Sequence, residues 1–139
     1  MQHHLTIPTN GQGLYEFTDQ VQAFVKSADI STGLVTIFVQ HTSCSLLIQE
    51  NADREVQVDL ANFFGRLVPP TSHPSMDYIR HTYEGEDDMP AHIKAALTQV
   101  SISIPATNCR LALGTWQGIY LFEHRDRPHS RNVVLHLSQ

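Results

Sequence analysis

The chain is poor in several things that would each carry a function. It has only two cysteines, Cys44 and Cys109, in 139 residues and no CxxC pair. A disulfide framework and a thiolate zinc cluster are both excluded, and a reducing, cytoplasmic setting is expected. No apolar run approaches the ~20 residues of a spanning helix, and no basic stretch followed by an apolar one reads as a signal peptide. Positive charge is the scarcer sign, with 9 Lys and Arg against 14 Asp and Glu, a net charge of −5. That balance argues against sequence-independent nucleic-acid binding and against docking on anionic lipid. GxSxG, GxxxxGK[ST] and GxGxxG are all missing, which removes the nucleophile elbow, the P-loop and the dinucleotide fold as signals. Repeats, linkers and low-complexity stretches are missing too, so residues 1–139 read as a single domain.

Histidine, by contrast, is abundant. Nine are dispersed along the chain: His3, His4, His41, His73, His81, His92, His124, His129 and His136. Imidazole is the commonest metal ligand and the usual proton carrier near neutral pH. The coarse pattern around these residues predicts short strands at Leu5–Ile7 and Tyr15–Phe17. A helix follows from Thr18 or Asp19 to Ala28, with Val21, Phe24, Val25 and Ala28 on one face. Leu34–Gln40 is a β-branched strand and Cys44–Gln49 resumes extended character. Asn51 is placed to cap a second helix whose apolar face carries Val56, Leu60, Phe63 and Leu67, and Pro69-Pro70 stops it. Thr71–Met89 has little periodicity, and a loop that long is uncommon without a role. A third helix runs through Ala91–Thr98, and strands at Val100–Ile104, Arg110–Leu113 with Trp116–Glu123, and Asn132–Leu137 complete the chain. The class is α+β, a mostly antiparallel, sandwich-like core with two or three helices.

Several constellations can carry chemistry. His41-Thr42-Ser43 falls where a strand runs out, offering an imidazole, hydroxyls and free backbone N–H groups; the competing reading is a polar strand-to-loop transition. Glu50-Asn51-Ala52-Asp53 reads as a helix cap or as carboxylates that orient a histidine. Between Tyr78 and Lys94, His81 and His92 stand eleven residues apart around Glu84-Gly85-Glu86-Asp87-Asp88, a suggestive set for a divalent metal that matches no standard zinc spacing. Gly114-Thr115-Trp116-Gln117-Gly118 places the only tryptophan between glycines, as a core anchor or a ligand contact. Cys44 reads as a small buried residue. The charged stretch from Glu123 to Arg131 reads as a solvated turn, and His3, His4, His73, His124, His129 and His136 as surface or structural residues.

The run SISIPATNCRLALGTWQGI, Ser101 to Ile119, together with His41-Thr42-Ser43, Glu50-Asn51 and GEDDMPAHIK at Gly85–Lys94, resembles the signature of the YjbQ family. Members of that family are often labelled secondary thiamine-phosphate synthases. The likeness covers residues 5–138. It departs from the expected pattern at HRDRPHSR after Glu123, and at Cys109, where glycine is expected. The resemblance implies a homotrimer and a histidine-rich pocket. It implies weak formation of thiamine phosphate from a pyrimidine pyrophosphate and a thiazole phosphate, with the native substrate open. On that basis His41, His81 and His92 are expected to hold a divalent metal (Zn, Mn or Mg). Glu50 or Asp88 would orient a ligand or act as general base, and Ser43, Asn51, Trp116 and Gln117 would line the place of a small phosphorylated or heterocyclic substrate. Two classes remain open: a metal-assisted transferase or hydrolase, and a non-catalytic trimeric protein that binds a metal or metabolite.

Overall fold

The structure, a computed structural model, describes residues 1–139. Eight strands and three helices follow the chain as β1 (Gln2–Asn10), β2 (Gly13–Glu16), α1 (Thr18–Ser27), β3 (Thr32–Val39), β4 (Cys44–Glu50), α2 (Arg54–Leu67), α3 (Asp88–Leu97), β5 (Ser101–Thr107), β6 (Arg110–Leu111), β7 (Gln117–Glu123) and β8 (Pro128–Ser138). A short 3-10 turn at Pro74–Met76 lies in the long loop between α2 and α3. The strands form two sheets, β1-β8-β3-β5-β6 and β2-β7-β4. Every pairing within them is antiparallel. The α+β class expected from the sequence is the one observed.

Alternation builds the core. Val35, Ile37 and Val39 on β3, Ile102, Ile104 and Ala106 on β5, and Val133, Leu135 and Leu137 on β8 all point inward, because side chains two apart share one face of a strand. Ile119 and Leu121 of β7 and Cys44 and Leu46 of β4 meet them from the second sheet, and Val21, Phe24 and Val25 of α1 complete the cluster. Burying each of the larger of these side chains stabilises the fold by about 1.5–3 kcal/mol before entropy is counted. The same alternation runs one step further and puts two charges inside. Arg131 lies on the face of Val133, Leu135 and Leu137, and Glu123 on the face of Ile119 and Leu121, and both are buried. They pair with each other, Arg131 Nε donating to Glu123 Oε2 at 2.7 Å. The stretch from Glu123 to Arg131 is therefore a solvated turn only in its middle, at Asp126 and Arg127: Glu123 is enclosed, and β8 starts at Pro128 and carries Arg131 into the core.

Two other expectations shift. The cap of α2 is Asp53, whose carboxylate accepts from the Glu55 N–H, while Asn51 stands two residues earlier. The helix also buries none of its residues. Phe64 packs edge-on against Phe122, while Val58, Phe63 and Leu67 face outward. At the turn after β5, Asn108 and Cys109 have φ of 50° and 61°. This is the left-handed region, which explains why glycine suits position 109.

Candidate metal centre

Asp88 and His92 share one face of α3 at i and i+4, the spacing at which helical side chains meet. Asp88 sits in the first turn, where the positive end of the helix favours a carboxylate. His81 arrives from the preceding loop. Between them Gly85 takes φ of +113°, and a Cβ there would come within 2.8 Å of Asp87 Oδ1. That glycine turns the chain back so that Glu84 lies over His81. His81 Nε2 is 2.7 Å from Asp88 Oδ2 and 3.2 Å from Glu84 Oε2, and His92 Nε2 is 3.2 Å from the same Asp88 oxygen. One ligand atom from each of His81, Glu84, Asp88 and His92 falls within 4.8 Å of the other three. That is close to the span one ion bridges with bonds of about 2.0–2.2 Å.

The surroundings hold this set in place. Asp88, 2 % exposed, accepts from Arg125 Nη1 at 2.6 Å through its other oxygen. Arg125 also grips Asp87 and donates to the Glu84 carbonyl, so one guanidinium ties the loop to the end of β7. Burial pushes the Asp88 carboxyl up, but the His81 bond, the contact with Glu84 and the Arg125 charge outweigh it and hold it below the usual range. His81 is raised above the ordinary histidine value, first by its hydrogen bond to Asp88. His92 is oriented by the Thr42 carbonyl, which accepts from its Nδ1–H at 2.8 Å. In the neutral ring Nε2 then carries a lone pair, and it faces the Asp88 carboxylate. Two electron-rich atoms 3.2 Å apart call for a cation between them, either a proton or a metal ion.

His41, by contrast, stands outside the set. Its Nε2 accepts from the Asn132 backbone N–H at 2.8 Å and is thereby removed as a ligand. It lines the same groove as His92, between the end of β3 and α3, within this one chain. Burial, then the Arg131 charge, pulls its pKa down, and an Nε2 that accepts an N–H carries no proton of its own. The other expected residues also lie elsewhere. Ser43 is buried and its hydroxyl accepts from Arg131 at 3.0 Å, so it serves the ion pair and not a substrate. Glu50 pairs with Gln117 at one end of the β4–β7 ladder, whereas Cys44, beside the His41 turn, pairs with Glu123 at the other. The length of β4 separates the two ends by about 20 Å. There the Glu50 carboxylate accepts from the Asp53 N–H and Gln117 accepts from the Gly114 N–H. The Asn51 N–H bonds the Trp116 carbonyl, while the Trp116 ring is 62 % exposed. Within one chain Glu50, Asn51, Trp116 and Gln117 do not meet the histidines. Asp88 does, and its lowered pKa makes it a weaker base than an ordinary aspartate.

Sequence reasoning passed over Glu84 as a ligand, and Arg125, Glu123 and Arg131 as supports. The signals were present: Glu84 stands three residues after His81 beside a glycine turn, and Arg131 continues the inward parity of β8.

The sequence profile of the family described as UPF0047 protein YjbQ-like matches residues 3–139. The chain belongs to the YjbQ family. It is 53% identical to the UPF0047 protein sll1880 of Synechocystis over 99% of this chain and 90% of that one. It is 37% identical to the UPF0047 protein YjbQ of Escherichia coli O157:H7 over 96% and 94%. Among solved structures, a conserved hypothetical protein of Thermus thermophilus superposes with a TM-score of 0.84 at 36% identity, covering 98% of this chain and 99% of that one. A YjbQ/UPF0047 protein of Clostridium acetobutylicum superposes at 0.81 and 30% identity, covering 99% of each.

The opposite pKa shifts in this YjbQ protein make two pH statements. The His81–Asp88 contact stabilises the fold below the ordinary histidine value and loses that effect as pH rises through the raised His81 value. The lowered Asp88 carboxyl contributes above its ordinary value and loses its effect as pH falls through the lowered one. A metal ion must displace the His81 proton, so cation affinity is expected to climb with pH until that proton is gone, with protons released on binding. Calorimetry in two buffers of different ionisation enthalpy measures the release. An affinity unchanged between about pH 5.5 and 8 contradicts this placement of the proton.

Proposed function

We propose that this YjbQ protein holds one divalent cation at His81, Glu84, Asp88 and His92 and acts with it on a small phosphorylated or heterocyclic substrate. The observation that carries this reading is the His92 Nε2 lone pair facing the Asp88 carboxylate, with Nδ1–H already committed to Thr42. A mixed imidazole–carboxylate set suits Zn, Mn or Mg to different degrees, zinc and manganese better than magnesium. When bound, the cation supplies charge to stabilise a leaving pyrophosphate or an attacked phosphoryl oxygen. The chain's own residues do the rest: Arg125 keeps Asp88 ionised, Thr42 aims His92, and the groove beside His92 receives the substrate. The reaction the family resemblance favours joins a pyrimidine pyrophosphate to a thiazole phosphate with release of pyrophosphate.

One observation supports the second reading, a non-catalytic binding protein. Four side chains fill a tetrahedral zinc shell, and a filled shell has no open position. Glu84 decides between them, because it is exposed and lies at the edge of the set, against His81 and the Asp88 carboxylate. We also propose a cytoplasmic homotrimer, supported by the outward-facing Val58, Phe63 and Leu67 of α2, a helix with no fully buried residue in its own chain. The mass in solution is then expected near three times 15.7 kDa.

The test incubates cation-loaded protein with the two phosphorylated rings and follows pyrophosphate. Slow, cation-dependent release that is lost in His92→Ala is the expected result. Tight cation binding with no turnover would favour the binding protein.

A further inference from the structure

The groove that begins at His92 has a composition of its own. It encloses about 810 Å³ between the end of β3 and the flank of α3, within the range of small-molecule sites. Phe38, Val39, Ala95, Ala96 and Val100 form its walls, and no Asp, Glu, Lys or Arg lines it. Away from His92, its walls therefore offer nothing to balance a full charge. Its polar groups are mostly committed. The Thr42 carbonyl accepts from His92, and the Thr98 hydroxyl donates to the Lys94 carbonyl. His41 is an exception, as are the Gln40 side chain and the Thr42 hydroxyl at the mouth of the groove; of these only the His41 ring is fixed in place. With Nε2 accepting from Asn132, the neutral ring carries its proton on Nδ1. That nitrogen has no partner in the chain and is not among the buried unpaired atoms, so solvent reaches it. A slot with apolar walls and one donor held in a fixed direction is complementary to a largely apolar ligand that carries an acceptor.

We propose that this groove is a binding subsite for an uncharged flat ring bearing a hydrogen-bond acceptor, gripped by the apolar walls and by the Nδ1–H of His41. His41 is then a specificity residue of the organic part of the substrate and not a metal ligand. The proposal deepens the cation reading, on which it rests only for the placement of the substrate's anionic part: His92 belongs to both the groove and the ligand set, so a ring here puts a phosphorylated substituent at the cation. The ring subsite itself needs no metal.

Benzamide is the probe, titrated into metal-free protein while amide resonances of Phe38–Thr42 and Ala95–Val100 are followed by NMR. Benzoate and benzylamine are the charged comparators, and Mn²⁺ uptake is measured separately on the same samples. Benzamide is expected to shift these amides and to bind about tenfold more tightly than either charged ring. His41→Phe, which keeps a ring but removes the donor, is expected to weaken it about tenfold, one hydrogen bond's worth. Ala96→Trp is expected to abolish it while Mn²⁺ uptake persists. Equal binding of all three rings, shifts that map elsewhere, no effect of His41→Phe, or a second copy of the chain covering these amides would each overturn the subsite. Benzamide binding without Mn²⁺ uptake would instead leave the subsite standing and remove the cation reading.

Discussion

Replacing Asp88 by asparagine is expected to weaken divalent-cation binding by at least about 100-fold, beyond the 10- to 100-fold typical of residues that merely orient ligands. Asp88 Oδ2 is the one atom that both histidines approach, and Oδ1 is the atom through which Arg125 fixes the loop. Asparagine keeps the volume and removes the charge. The loss should come with little loss of fold, because Arg125 retains Asp87 and the Glu84 carbonyl. Glu84→Gln is the comparison. Glu84 is exposed and sits at the edge of the set, so a loss of about tenfold or less is expected there. Titration calorimetry with Mn²⁺ or Zn²⁺ reads both. Equal effects of the two substitutions would mean that Asp88 is not the centre of the site.

Arg131→Leu is expected to destabilise the fold by about 3–5 kcal/mol, the cost of leaving one member of a buried ion pair alone. Glu123 is fully enclosed and also accepts from Thr9 and from the backbone N–H groups of His124 and Arg125. Burial pushes its carboxyl up, yet the Arg131 bond and these donors hold it below the usual range, so its stabilisation is present above the ordinary glutamate value and is lost as pH falls through the lowered one. The single variant should therefore be weakest at neutral pH and recover part of its deficit in mild acid, where an unpaired Glu123 can take a proton. Pairing it with Glu123→Leu should restore most of the stability, since apolar replacement of a whole buried pair is often neutral. Chemical denaturation of the two variants beside wild type measures this. The Arg131 head group also bonds the Ser43 hydroxyl, one residue from the carbonyl that aims His92, so the single variant should lose cation affinity as well.

Much of this architecture was legible in the residues. The β-branched run Leu34–Gln40 and the strand-like run Asn132–Leu137 predicted β3 and β8, and the apolar face at Val21, Phe24 and Val25 predicted α1. His81, Asp88 and His92 were singled out from one stretch because that stretch places them close together in sequence. What failed depends on three dimensions. Glu50 and His41 flank one strand, and only the antiparallel ladder reveals that the strand's length keeps them apart. The Asn132 N–H that occupies His41 Nε2 comes from the far end of the chain. Ser43 is expected from the sequence to line a substrate because nothing local announces its bond to Arg131. Charge was the misleading cue in Glu123–Arg131: the residue types suggested solvent, whereas the parity of Arg131 with Val133, Leu135 and Leu137 pointed inward, and the parity was right.

The central claim is the cation at His81, Glu84, Asp88 and His92, and metal content tests it most directly. Untagged protein, purified without chelator and then equilibrated with Zn²⁺ or Mn²⁺, should carry about one ion per chain by elemental analysis. His81→Ala and His92→Ala should each carry far less, with the oligomer intact. A wild-type protein that holds no ion after equilibration, or variants that hold as much as wild type, would contradict the account and leave His81 and His92 as acid–base or anion-binding groups.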